Sequence, residues 1–467
     1  MASGSKIILG ALPFVVGALL FVLSLSQIPE IHRDAQYYLQ SACLWNSGKV
    51  SFAGSWIGSR AFTVWIYHLA FSAFGYNIDA ISLAISIAKL LTAAALAVVV
   101  WETIWETVLR CAVTVAAAVL VFTMPLMNTP ATDNIAVLFL SVLWALWLAG
   151  RRNLTLAIVA FPFVAGVSLS VRSELVMLPA LLVVGDILSG KLPFRWRRLA
   201  AAIASYTLGI LATGLVWSTW VSVEKPPQYS GALAMFRPLA EHGLATNGPS
   251  SARLFEVARQ NPSAPLDYWK ALGTTYIELG PEKSNALLTA AGAEAMMKNA
   301  LPILKSTLSD TWTLLDSPGA YLLKNTDPKE EMDTLTQQLS DLDAIREQTS
   351  ANFGGDFTYR TKKLTEGRIA WIERLRGSIL GVPIRIELFG GVLVISLLMC
   401  GGAGIAFRDP SWLCIPLYGL AVCLLAALTQ GVVYRYIAPA LLLNFIAAAA
   451  SAAALLSRVE PPATRSV

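Results

Sequence analysis

Asp34 lies just after the first long apolar stretch of the chain, in the segment Ile31-His32-Arg33-Asp34-Ala35-Gln36-Tyr37-Tyr38. The run before it, 7–26, is about as long as the ~20 residues that a helix needs to cross a bilayer. A carboxylate just beyond the end of such a helix can take a proton from an incoming hydroxyl group. The segment therefore predicts acid–base chemistry at a membrane surface.

Five more charged residues fall where other apolar runs begin or end. Two are carboxylates and three carry guanidinium groups: Asp133, Glu174, Arg60, Arg172 and Arg435. If the runs are membrane helices, all five lie at the same depth and on the same side as Asp34. Carboxylates can activate a hydroxyl, and arginines can stabilise a departing phosphate. A leaving group anchored in the bilayer, such as a polyprenyl phosphate, would explain why these residues lie at the membrane surface.

The composition predicts an all-α polytopic membrane protein. The chain has 467 residues, of which 55% are hydrophobic and 14% charged, and its mean hydropathy is +0.59. About ten runs approach the length of a transmembrane helix: 7–26, 80–100, 110–127, 134–149, 154–171, 175–190, 199–220, 388–407, 411–429 and 436–456.

Lysine and arginine are asymmetric between the loops, and this predicts the orientation. With the N-terminus inside, the cytoplasmic loops carry nine cations: Arg110, Arg151, Arg152, Lys191, Arg195, Arg197, Arg198, Arg408 and Arg458. The short outer loops carry few, so the net charge of +5 reflects topology and is no indication of nucleic-acid binding. Five tryptophans near helix ends fit an aromatic belt: Trp101, Trp105, Trp147, Trp217 and Trp220.

The chain divides into three parts: an N-terminal transmembrane module, 1–220, a polar insert, 221–387, and C-terminal transmembrane helices, 388–467. The first outer loop, 27–79, predicts interfacial helices near 35–47 and 60–74. The insert has helical periodicity and is expected outside the cytoplasm. Its last stretch, 358–380, is basic and amphipathic, which is typical either of a helix on a lipid surface or of a solvated one.

The order of these motifs resembles the GT-C class of polyprenyl-phosphate-sugar-dependent glycosyltransferases, in the branch of protein O-mannosyltransferases and lipid A aminoarabinose transferases. The likeness covers the seven N-terminal runs and the last one, and it rests on five motifs: Asp34 with Tyr37-Tyr38, Arg60 before an aromatic helix ending Phe74-Gly75, Thr132-Asp133-Asn134, Arg172-Ser173-Glu174 before Leu178-Pro179, and Tyr434-Arg435-Tyr436 before Pro439.

The resemblance implies an inverting transfer of a sugar, hexosyl or pentosyl, from a polyprenyl-phosphate donor to an extracytoplasmic glycan, lipid or protein acceptor. Asp34 would be the general base and Asp133 would orient the acceptor or share a metal. Arg60, Arg172 and Arg435 would bind the donor phosphate, with Glu174 fixing Arg172. Tyr37, Tyr38, Tyr434 and Tyr436 would support the site. The expected location is a bacterial inner (plasma) membrane.

No cofactor is required by these motifs, although a divalent metal near Glu30, His32 and Asp34 stays open. The metal ligands are therefore unknown. Four of the five cysteines lie in apolar runs and are expected to be packing residues: Cys111, Cys400, Cys414 and Cys423. Lys89 lies in the second run, where its side chain could reach a lipid phosphate or pair with a polar group inside the bundle, and we expect the pairing inside the bundle.

Three of the charged residues have simpler explanations that stay open. Asp133 suits the positive end of a helix dipole, and Arg172 with Glu174 could form a structural ion pair. Two other functions also remain. An O-antigen polymerase or ligase would use a lipid-diphosphate donor. A secondary transporter would suit about ten helices with intramembrane charge, but the sequence has no inverted repeat and no paired Gly/Pro-broken helices, and its charges cluster at one surface instead of the midplane.

Overall fold

The computed structural model describes the chain in twelve ranges: 3–25, 29, 38–39, 41–42, 45, 60–75, 78–190, 196–219, 248–262, 266–316, 389–430 and 437–459. Within them the regular structure is helical, in agreement with the predicted all-α class. Fourteen α-helices are described there: α1 Ser3–Ser24, α2 Ala61–Phe74, α3 Ile78–Thr103, α4 Thr107–Thr123, α5 Thr132–Gly150, α6 Phe161–Ser168, α7 Met177–Leu188, α8 Trp196–Thr219, α9 Pro249–Ala258, α10 Tyr268–Lys298, α11 Ala300–Leu315, α12 Phe389–Phe407, α13 Cys414–Gln430 and α14 Ala438–Val459.

Six helices of the described ranges are long and apolar enough to cross a membrane: α3, α5, α8, α12, α13 and α14. The chain is thus a multi-pass membrane protein, but the expectation of about ten spans exceeds what these helices establish. The other predicted spans form shorter helices or shorter apolar stretches. At 1.5 Å per residue, the 12 residues of α7 cover about 18 Å of a core that is about 30 Å thick.

Local sequence explains where the helices next to the charged residues begin and end. Helix α2 starts directly after Arg60 and stops at Gly75, whose φ of 81° favours glycine. The Glu106 side chain accepts a hydrogen bond from the Leu109 amide and so caps the start of α4. Helix α5 begins at Thr132, directly after the Pro130-Ala131 turn. These boundaries put Arg60 and Asp133 at helix starts.

One apolar core joins the first and last thirds of the chain. Helices α3, α5 and α14 pack together in it, and α7 packs against α13. The contact between α6 and α8 depends on small residues, because a Cβ atom on Gly166 would lie 2.3 Å from the Tyr206 carbonyl oxygen. The predicted packing role of the four cysteines in the apolar runs is confirmed, since all four are buried and free.

Arg151 ties the N-terminal helices to the C-terminal ones through a network of charges. It follows the end of α5 and forms ion pairs of 3.0 Å with Asp186 of α7 and with Asp409, which precedes α13. Its guanidinium group stacks on Trp147, whose indole N–H donates to Asp186 at 2.7 Å. Trp147 is therefore an internal residue, 7% exposed, and its assignment to the aromatic belt was wrong.

We predict that Arg151→Ala destabilises the protein by about 3 kcal/mol, because the change leaves two buried carboxylates without their shared cation. Arg152→Ala is the matched control. Its side chain is 61% exposed and pairs with Glu102, so the change should alter stability by at most about 1 kcal/mol. Thermal unfolding of the purified protein in nanodiscs measures both effects. Equal shifts in Tm for the two variants would contradict a stabilising role of the Arg151 network.

Candidate active site

Arg172 lies at the centre of the candidate site, in the turn between α6 and α7. Its side chain is 1% exposed, and its Nη1 atom donates to the Asp133 carboxylate at 2.6 Å. Its Nε atom donates to Glu174, two residues along the same turn. One guanidinium group therefore joins the start of α5 to the start of α7. This is the pairing that the Arg172-Ser173-Glu174 motif favours, extended by Asp133.

Arg60 belongs to the same cluster, although it comes from the start of α2. It is half-buried, and its Nη1 atom donates to the Tyr38 hydroxyl at 2.5 Å. Its charge also acts on Glu174. The described part of the site thus contains two arginines and two carboxylates, drawn from three separate regions of the chain.

Two arginines keep Glu174 ionised in this setting. Burial raises the pKa of the Glu174 carboxyl, but the charges of Arg172 and Arg60, together with the hydrogen bonds that the carboxylate accepts, outweigh burial, and the net pKa is below its usual 4.5. Glu174 is also the more accessible carboxylate, with 16% of its side chain exposed against 4% for Asp133. The cluster therefore presents an ionised carboxylate toward its more open side.

Two tyrosines border the cluster and were not selected from the sequence. The Tyr67 hydroxyl accepts a hydrogen bond of 3.3 Å from the Asn134 amide, and it is close enough to Asp133 and Tyr38 to interact with them electrostatically. Tyr418 of α13 is 2% exposed and interacts electrostatically with Glu174 and Arg172. Tyr67 and Asn134 stand inside the quoted motifs, whereas Tyr418 is one polar residue in an apolar run and had no such signal.

Five of the predicted site residues lie outside the described residues: Asp34, Tyr37, Tyr434, Arg435 and Tyr436. The same holds for Glu30, His32 and the amphipathic stretch 358–380. The roles assigned to these residues stay predictions. Of the predicted set, the structure brings together Tyr38, Arg60, Asp133, Arg172 and Glu174.

The described residues contain no group of three or more His, Cys, Asp or Glu that could hold a metal ion. Asp133 and Glu174 both face Arg172, and a guanidinium group between two carboxylates occupies the place that a cation would take.

Lys89, which is 1% exposed, donates to the Asn128 side chain at 3.3 Å. That contact is the pairing with a polar group that we expected for it.

Comparison with known proteins gives one distant likeness. No protein-family model matches the chain, and no curated protein matches it. The chain is similar to the crystal structure of ArnT from Cupriavidus metallidurans bound to undecaprenyl phosphate, with 15% identity and a TM-score of 0.37, over 97% of this chain and 78% of that one. A TM-score this low gives no information about the function of this chain.

We predict that the stabilising effect of the Glu174 carboxylate is lost in acid. Because its folded pKa is lowered, the contribution is complete above pH 4.5 and disappears as the pH falls through the lowered value. The difference in Tm between the wild type and Glu174→Gln should be constant above about pH 5 and shrink below it. Glu278→Gln, at an exposed pair with Arg259, is the control, and its effect on Tm should be small. A difference that is independent of pH down to pH 3 would contradict an ionised Glu174.

Proposed function

We propose that the chain is a glycosyltransferase that moves a sugar, with inversion, from a polyprenyl-phosphate donor to an extracytoplasmic acceptor at the bacterial inner membrane. The observation that carries the proposal is the cluster of Arg60, Asp133, Arg172 and Glu174 at one end of the bundle of apolar helices. A donor with a bilayer-anchored tail and a charged head requires such a combination of polar site and apolar surroundings.

The reaction places distinct demands on the residues. The acceptor oxygen attacks the anomeric carbon, the bond from that carbon to the phosphate oxygen breaks, and the acceptor proton passes to a base. We assign the base to Asp34 and the orientation of the acceptor to Asp133. The leaving phosphate gains negative charge as the bond breaks, so cations close to it stabilise the transition state more than the ground state.

The charge balance of the described cluster indicates how the arginines divide this work. Arg172 is enclosed by Asp133 and Glu174, and the two arginines and two carboxylates cancel in formal charge. We therefore assign to Arg172 the ordering of the carboxylates as well as a phosphate contact. Arg60 is half-buried and is hydrogen-bonded to Tyr38, and we assign its positive charge to the donor phosphate. Arg435 would supply the additional positive charge that a phosphate requires.

We predict that Arg60→Gln and Arg435→Gln each weaken donor binding by about 1.5–3 kcal/mol, the usual value of a hydrogen bond to a charged group. Arg172→Gln should weaken binding similarly and also lower Tm, because it leaves Asp133 and Glu174 buried without their cation. Binding of a polyprenyl-phosphate sugar to protein in nanodiscs measures the effect, and Arg259→Gln, an exposed site in the insert, is the control.

Wild-type donor affinity in all three site variants would place the phosphate elsewhere. The same assay distinguishes the polymerase or ligase alternative, because that enzyme would prefer the lipid-diphosphate donor to the monophosphate. Transport of a solute without any transfer product would favour the transporter instead.

We predict that Asp34→Asn lowers turnover by about 10²- to 10⁴-fold while donor affinity is unchanged, since an amide keeps the shape of the side chain but cannot accept the proton. Asp133→Asn should be milder if Asp133 only orients the acceptor, and as severe if the two aspartates share a metal. Asp316→Asn, at an exposed position after α11, is the control. Near-normal turnover of purified Asp34→Asn would overturn the assignment of the base, and a chelator would test the shared metal.

A further inference from the structure

Helix α11 of the insert packs directly against the membrane-spanning helices α12 and α13. Its inner side is formed by four buried residues: Ile303, Thr307, Thr311 and Leu314. Leu314 is part of the same apolar core as the spanning helices. A Cβ atom on Gly390 would lie 2.7 Å from the Leu315 carbonyl oxygen, so the end of α11 touches the start of α12. This part of the insert is therefore attached to the transmembrane bundle.

A second face of α11 is apolar and exposed. Leu301, Leu304, Leu308 and Trp312 have exposed fractions of 78%, 54%, 54% and 71%. At about 100° per residue they form one row along the helix, roughly 80° wide. This row lies immediately beside the buried one, and it is too regular to be a scatter of isolated surface residues.

The third face of α11 is polar and exposed. It carries Lys305, Ser309, Thr313 and Asp316, which occupy the sector on the other side of the apolar row. Around its circumference the helix thus meets protein, then presents an apolar row, then presents polar groups. A fully solvated helix has no need of the apolar sector, and a spanning helix would not carry the polar one.

This order of three faces fits a helix that lies in the surface of a bilayer beside a bundle of spanning helices. We infer that α11 rests in the membrane surface, with its apolar row buried among lipid acyl chains and its polar face toward water. Helix α12, whose start touches the end of α11, also has exposed apolar residues: Val394, Ile395 and Leu398 are 53%, 53% and 66% exposed. Trp312 suits the boundary, because tryptophan concentrates at membrane interfaces.

A second copy of the chain is a less suitable occupant of the row. The apolar row is about one helix face wide, and charged and hydroxyl residues adjoin it along its length. A stable protein interface needs an apolar centre that is enclosed on all sides by a rim, usually over more than 1,000 Å² in total. Lipid requires no such enclosure. Contact with lipid at α11 would also hold this part of the insert near the start of α12.

The experiment compares two neighbouring positions, Leu308→Cys and Ser309→Cys, about 100° apart around the helix. Each is made in a Cys43→Ser background, where the four remaining cysteines are buried. An environment-sensitive fluorophore is attached to each, and the protein is placed as single copies in phosphatidylcholine nanodiscs. Quenching is then measured with a nitroxide on the lipid acyl chain and, separately, with iodide in the water.

We expect the label at position 308 to lose fluorescence with the nitroxide lipid and to be protected from iodide. The label at position 309 should show the reverse. Equal quenching of both labels by iodide would overturn the proposal, as would protection of position 308 from both quenchers, which would mean that protein covers the row. Leu304→Cys and Thr313→Cys form a second pair in case either first variant fails to fold. No donor is present, so the result is independent of the proposed enzymatic function.

Discussion

A guanidinium group that is removed from water stays charged at acceptable cost only if carboxylates replace the water that it loses. In this protein Arg172 meets that constraint through Asp133 and Glu174, and the positions of both depend on it. Asp133 belongs to the first turn of α5, and Glu174 to the turn that leads into α7. The pairing therefore fixes how two helices meet at the candidate site. Arg60 and Tyr418 are arranged around the same charges.

A second network, in which an arginine pairs with two buried carboxylates, stabilises the opposite end of α5. There the cation is Arg151 and the carboxylates are Asp186 and Asp409. The 19 residues of α5 extend over about 28 Å, close to the thickness of the hydrocarbon core. Charge at both ends and apolar packing between them are what a bilayer demands of a helix in the centre of a bundle. The site end faces a proposed substrate, whereas the Arg151 end joins the two halves of the chain.

The insert is connected to this framework through α11, and the described parts of its other helices form a smaller core of their own around Leu254, Phe255 and Leu288. The local core and the contact of α11 with α12 and α13 explain how a polar segment of the chain can be held close to the membrane surface.

The sequence alone was sufficient for the helical class, the membrane location and the starts of α2 and α5, because these depend on hydropathy, helix-ending residues and chain-local turns. It also predicted that Arg60, Asp133, Arg172 and Glu174 share one end of the bundle, since up-and-down helices return to the same surface. The expected count of about ten full spans is established for six helices of the described ranges, because apolar runs such as 154–171 and 175–190 form helices of fewer than 18 residues there. Only the tertiary structure decided which charges pair. The sequence gives no sign that Asp186 and Asp409, more than two hundred residues apart, share Arg151 as their partner. It also gives no sign that Trp147 belongs to this network instead of the aromatic belt. Such pairings depend on how the helices pack, and packing is determined by the shapes of many side chains together.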